Sequence, residues 1–214
     1  MPIFSQSLVV LDTETTGFPS HPWASVIEIA GVRLSRDGEE IDTFSAFCLP
    51  AVLDARADKA LEINQITREM LVDKPAPEAV GSAFAEWVAD DFVTAFNVDF
   101  DRPMCERMGL RSLRWASCVM LRAMAVMGPA GVLRAADPTH PRYQPGRPWL
   151  WPSLAAAGDH FGVPPCEPAH RALSDARRAA GVAVAIQRLS PPSTAPAEVA
   201  QTGRVDGGFS GGTP

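Results

Sequence analysis

Asp12 and Glu14 stand one residue apart at the end of an apolar run, Leu8-Val9-Val10-Leu11. A strand through them puts both carboxylates on one face, because strand side chains alternate. Two carboxylates a few ångströms apart repel unless one holds a proton or a cation lies between them, so a pair delivered to a strand end points to a divalent metal. Two further acids, Asp101 and Asp175, fall where a strand or loop hands over to a helix. His170 precedes Asp175 by five residues; at about 100° per residue the two would point apart on one helix. The spacing therefore predicts His170 on the loop before the helix and Asp175 in its first turns. An imidazole titrates near neutrality, which suits it to take a proton from water. Each acid taken singly reads most simply as a solvated surface group; their joint placement makes the candidate site.

Those positions require particular elements. The first strand breaks at Thr16-Gly17, and Phe18 to Ser25, with two prolines and two aromatics, reads as a loop. Val26 to Leu34 and Glu40 to Leu49 read as strands joined by a turn at Arg36-Asp37-Gly38, giving an antiparallel three-strand meander. Helical patterns follow at Ala57 to Ile63, from Thr67, and at Pro75 to Asp90, where Val80, Phe84, Trp87 and Val88 recur at helical spacing. Phe92 to Phe96 is a short strand leading to a helix that Gly109 stops, and a strand around Trp115 to Cys118 leads to a helix through Met127. Two more helices cover Ser153 to Phe161 and Arg171 to Leu189, the last with a small-residue face of Ala172, Ala176, Ala179, Ala180 and Ala183. A meander followed by strand and helix in alternation argues for an α/β fold: a mixed sheet of antiparallel meander plus parallel strands, flanked by helices.

Several stretches leave two readings open. Gly128 to Pro152 is either a nucleic-acid contact, through Arg134, Arg142, Arg147 and its aromatics, or a proline-stiffened loop whose tryptophans plug the core. Glu28, inside an apolar strand, faces either solvent or the site. Asp91 and Asp99 read as surface acids, His21, His140 and His160 as surface or packing residues, and Trp87 and Trp115 as core. Residues 190–214 lack apolar periodicity and are expected to form a disordered tail after one domain spanning 1–189.

At 214 residues, 46% hydrophobic and 21% charged, the chain is long enough for one domain with a full core. A net charge of −6 argues against a broadly basic surface that adheres to nucleic acid, though acids gathered around cations contribute to that figure. Cys48, Cys105, Cys118 and Cys166 include no close pair and read as reduced thiols. There is no targeting pattern and no apolar run of bilayer length, so a cytoplasmic protein without a membrane partner is expected.

The ordered set Asp12-Thr13-Glu14-Thr15-Thr16-Gly17, Asn97-Val98-Asp99-Phe100-Asp101 and His170-Arg171-Ala172-Leu173-Ser174-Asp175 resembles the three motifs of the DEDDh (DnaQ-like) exonucleases. That family of ribonuclease-H-like 3′–5′ exonucleases includes the proofreading ε subunit of bacterial DNA polymerase III. Ile63 to Thr67 and Leu71 to Pro75 resemble its linking segment, and the resemblance runs over about residues 7 to 189. It implies two divalent cations, Mg2+ or Mn2+, held by Asp12, Glu14, Asp101 and Asp175, with His170 as general base. It implies substrate contacts from Thr13, Thr15, Thr16, Gly17, Asn64 and Asn97, with Gly17 allowing close approach of the substrate. The implied reaction is hydrolysis of nucleic acid from a free 3′ end to nucleoside 5′-monophosphates, single-stranded DNA being favoured over RNA. Two other readings stay open: a proofreading module bound to a DNA polymerase subunit, and an oligoribonuclease or small-nucleotide phosphodiesterase. Two positions depart from the pattern, Phe96 where many members carry His and Ser117 where an acid is common.

Overall fold

In the computed structural model, which describes residues 4–141, 143, 145–168 and 170–189, five strands form one sheet: β1 (Leu8–Thr15), β2 (Val26–Leu34), β3 (Glu40–Phe47), β4 (Phe92–Ala95) and β5 (Arg114–Trp115). Their order is β3-β2-β1-β4-β5. β1, β2 and β3 pair antiparallel, and β4 and β5 add on in parallel. This is the mixed sheet that the meander and the later alternation predict, in the arrangement that the resemblance to ribonuclease-H-like exonucleases implies. Individual ends move: β3 stops at Phe47, and β5 is confined to two residues rather than running to Cys118. The expected tail, 190–214, lies outside the described residues.

Among the described residues a 3-10 turn (Ala55–Ala57) and seven helices surround the sheet: α1 (Asp58–Asn64), α2 (Arg68–Leu71), α3 (Pro77–Val88), α4 (Val98–Arg107), α5 (Val119–Met127), α6 (Leu154–Phe161) and α7 (Ala172–Leu189). β1 is covered on both faces, which is why its sequence opens as an unbroken apolar run. Leu8 and Val10 pack with residues of α5, α6 and α7, whereas Val9 and Leu11 pack with α3 and α4. Each such fully buried aliphatic side chain contributes roughly 1.5–3 kcal/mol. The alanine face of α7 is buried, and side chains that small let the helix axis approach β1 and β2 closely.

The long segment after α5 resolves in favour of packing for its tryptophans. Ala135 and Trp149 form an isolated antiparallel bridge, Leu150 is buried, and Trp151 packs on the core. A Cβ on Gly128 would meet the Trp149 ring at 2.3 Å, so glycine is required at the end of α5. Arg134 and Arg147 remain exposed. Asp91, read from the sequence as a surface acid, is half-buried, because it pairs with Arg33 and accepts the Ser7 hydroxyl. Among the described residues no helix is long and apolar enough to cross a membrane.

Candidate active site

Leu11 pairs in parallel with Ala95, so β1 and β4 end side by side, and the residues that follow emerge at one edge of the sheet. Ligands gather at the carboxyl ends of parallel strands in such folds. The alternation of β1 then sorts its polar residues. Asp12 and Glu14 continue the face of Leu8 and Val10, toward α7, and meet Asp175 in the first turn of that helix. One carboxylate oxygen from each of Asp12, Glu14 and Asp175 lies within 4.8 Å of the others. Thr13 faces the other way, toward α4, where Asp101 is 3% exposed. There Asp101 Oδ1 accepts both the Thr13 amide (3.1 Å) and the Thr13 hydroxyl (2.8 Å).

Burial and mutual repulsion show in the protonation of these acids. Asp12 is pushed far up by burial and then by Asp101, Glu14, Asp175 and Glu28. Glu14 is pushed up to about 8 by burial, with Asp175, Glu28 and Asp101 adding and Arg171 opposing. Burial also raises Asp101, against the pull of its Thr13 hydrogen bonds, and raises Asp175, against His170 and Arg178. Such a site gains when positive charge arrives between its oxygens.

The acids form one end of a cavity of about 500 Å³. Its walls include Phe18, His21, Trp23, Ile63 and Phe100, and Arg56 and Lys59 reach it from the 3-10 turn and α1. His170 lines the same cavity, exposed on the segment just before α7, with Asp175 in the first helical turn. That is the disposition their spacing predicts.

The RNase T exonuclease family matches residues 9–183. The chain belongs to the exonuclease family. A PolC-type DNA polymerase III of Staphylococcus haemolyticus is 40% identical over 93 residues, which are 44% of this chain and 6% of that polymerase. A solved structure of exonuclease X in complex with 5′ overhanging duplex DNA is 25% identical and superposes with a TM-score of 0.60, covering 86% of this chain and 92% of that one. An exonuclease I from Methylocaldum szegediense shares the fold at 24% identity and a TM-score of 0.61, over 86% of this chain and 40% of that one. The likeness to DnaQ-like 3′–5′ exonucleases read from the motifs thus holds for the domain as a whole.

Within this exonuclease domain, several residues that the resemblance offers as substrate contacts are occupied by the protein itself. The Thr13 hydroxyl is given to Asp101, and the Thr15 hydroxyl donates to the Gly17 carbonyl at 2.8 Å. Thr16 donates its amide to the Ser25 carbonyl at 2.9 Å, and its hydroxyl accepts the Ser25 amide at 2.9 Å. Gly17 is needed for the protein's own aromatics: a Cβ there would meet Trp23 at 2.8 Å and His21 Nδ1 at 3.1 Å. Asn64 is buried, accepts the Ile66 amide at 3.2 Å and donates to the Thr15 carbonyl at 3.5 Å. Asn97 keeps a buried Oδ1 with no hydrogen-bond partner among the described residues, and it lines the cavity.

Other cavity residues carry no motif. His21, read as a surface or packing residue, stacks on Trp23 at 4.9 Å and forms part of the wall. Phe96, where a polar contact is common, is 8% exposed and packs with the core. The Ser117 carbonyl accepts the Thr94 hydroxyl at 2.9 Å. The one available signal for the wall was position, since Phe18, His21 and Trp23 follow directly on Gly17.

A stability prediction follows from Glu14. Its folded pKa of about 8 lies above the ordinary 4.5, so its contribution to stability is complete below 4.5 and is lost as pH rises through about 8. In excess chelator the exonuclease is expected to melt several degrees lower near pH ~9 than near pH ~6, and Glu14→Gln should remove part of that difference, Asp101, raised to about 7, keeping the rest. Thermal unfolding of both proteins at the two pH values checks it; an unchanged pH dependence in Glu14→Gln overturns it.

Proposed function

We propose that the protein is a 3′–5′ exonuclease in which Asp12, Glu14, Asp101 and Asp175 hold two divalent cations, magnesium or manganese, and His170 is the general base. The observation that carries this reading is the convergence of four carboxylates and one histidine on a single cavity at the shared end of β1 and β4. The residues fit such ions: an all-oxygen donor set suits hard cations, and acids held partly protonated by burial and by their neighbours are relieved by positive charge. Bound there, the ions would supply Lewis acidity toward the scissile phosphate and offset charge on the departing oxygen.

The chain's own groups do the rest. His170 accepts a proton from the attacking water as its oxygen bonds to phosphorus and the bond to the neighbouring 3′ oxygen breaks. That oxygen takes a proton from solvent, and a nucleoside 5′-monophosphate leaves. Phe18 and Ile63, 63% and 54% exposed, flank the cavity with Phe100, a surface suited to an unstacked terminal base. Lys59 and Arg56 line the cavity while paired with Glu62 and Asp54, and would have to exchange those partners to meet the phosphates behind it; the unpartnered Asn97 Oδ1 is free to accept a donor of the terminal nucleotide.

DNA is the favoured substrate, supported by the likeness to exonuclease X in complex with DNA. Digestion of 5′-labelled single-stranded and duplex DNA and RNA, with magnesium, manganese or chelator, tests the reading. A metal-dependent ladder shortening from the 3′ end is expected; no ladder on any substrate overturns it in favour of a small-nucleotide phosphodiesterase. On the same substrates Phe100→Ala should raise KM roughly tenfold, the scale of one lost base-stacking contact, and an unchanged KM removes Phe100 from the base subsite. The identity with PolC-type polymerases over 93 residues favours a proofreading partnership as a second role, which co-elution with a replicative polymerase would test.

A further inference from the structure

Glu28 is the one acid inside the apolar strand β2, and it is buried at 1% exposure. Its cross-strand neighbours are Glu14 on β1 and Phe47 on β3. A carboxylate buried opposite another carboxylate needs a strong partner. That partner comes from 143 residues away: Arg171 donates Nε to Oε2 at 3.0 Å and Nη2 to Oε1 at 2.9 Å. The Ala172 amide, at the start of α7, donates to Oε2 at 3.3 Å. The guanidinium also lies over the Phe47 ring, 4.8 Å from its centre. β2 and β3 thus grip Arg171, just before α7, and Glu28 also holds Ala172, the first residue of that helix.

His170 is the residue immediately before this grip, and its φ of +55° is in the left-handed region that a non-glycine residue avoids. The backbone holds such a conformation only where its surroundings over-determine it. Here the next residue is fixed by a two-pronged ion pair, and Ala172 is fixed by a hydrogen bond and complete burial. We propose that Glu28 and Arg171 are positioning residues for catalysis: the clip between them sets where the His170 imidazole stands relative to the carboxylates of Asp12, Glu14 and Asp175. This rests on the reading of His170 as general base. The fork matters as well as the charge, because only a guanidinium engages both carboxylate oxygens in one plane.

The test measures kcat and KM on a labelled oligonucleotide, the manganese concentration at half-maximal rate, and the melting midpoint. The proteins are Glu28→Gln, Arg171→Lys, His170→Ala and each clip variant combined with His170→Ala. Each clip variant alone is expected to lower kcat about 10- to 100-fold with KM little changed, and Arg171→Lys, which keeps both charges, should also leave the manganese requirement little changed. In the His170→Ala background neither should lower the rate further, because the group they position is already gone. Arg171→Lys keeps the charge pair and serves if Glu28→Gln does not fold. Losses that add to that of His170→Ala, or a wild-type kcat in Arg171→Lys, overturn the clip while leaving the base reading standing. A wild-type rate in His170→Ala itself overturns the base reading, and the route from the clip to catalysis with it.

Discussion

Asp12→Asn is expected to lower the rate of 3′-end cleavage by about 10³-fold or more, the several kcal/mol that Lewis-acid contacts supply to phosphoryl chemistry. Asp12 is central to the acid cluster: Asp101, Glu14, Asp175 and Glu28 all act on its carboxyl. Asparagine has nearly the same shape, so β1 keeps its packing between α4 and α7, but the cluster loses one charge and one strong donor to a cation. With no cation bound, Asp12 must either hold a proton or bear the repulsion of its neighbours, and asparagine does neither. In chelator the variant should therefore melt at the same temperature as the parent or higher, while manganese binding weakens. Calorimetric titration with manganese, melting in chelator and single-turnover cleavage separate these effects. Cleavage retained within about tenfold of the parent rate would remove Asp12 from the chemistry.

His170→Ala should lower kcat by about 10²- to 10⁴-fold, the usual scale for a lost general base, with manganese binding preserved because imidazole is not counted among the cation's ligands. The side chain is exposed and lines the cavity, so its removal leaves no buried void and should not shift the melting midpoint. Added imidazole offers a direct check. A small base that enters the space vacated by the side chain should restore part of the rate in His170→Ala and do nothing to Asp12→Asn. Full activity in the variant, or a loss confined to KM, would assign His170 to substrate binding instead.

Motif spacing and hydrophobic period alone determined a good deal of this protein. An apolar run ending in Asp-x-Glu specifies a strand that carries two acids on one face, because backbone geometry fixes the alternation. The alanine face of α7 and the strand run Val26 to Leu34 are legible for the same reason: each records which side of a regular element is buried. The disposition of His170 before α7 and Asp175 within it follows from helical pitch. Identity as an exonuclease was legible because three short segments each carry part of the site.

Only the tertiary structure decided how those segments close on one another. Thr13 grips Asp101, which lies 88 residues on, because β1 and β4 are neighbours in the sheet and α4 starts where β4 ends. Glu28 could face solvent or the site as far as its strand was concerned; the covering of β2 by α7 put it against Arg171. The aromatics that close on Gly17, and the occupied hydroxyls of Thr13, Thr15 and Thr16, were equally hidden. Local pattern fixes which face a residue takes, because that depends on the backbone of its own element. Which distant group meets it there depends on sheet order and helix docking, which the burial of the whole core selects at once.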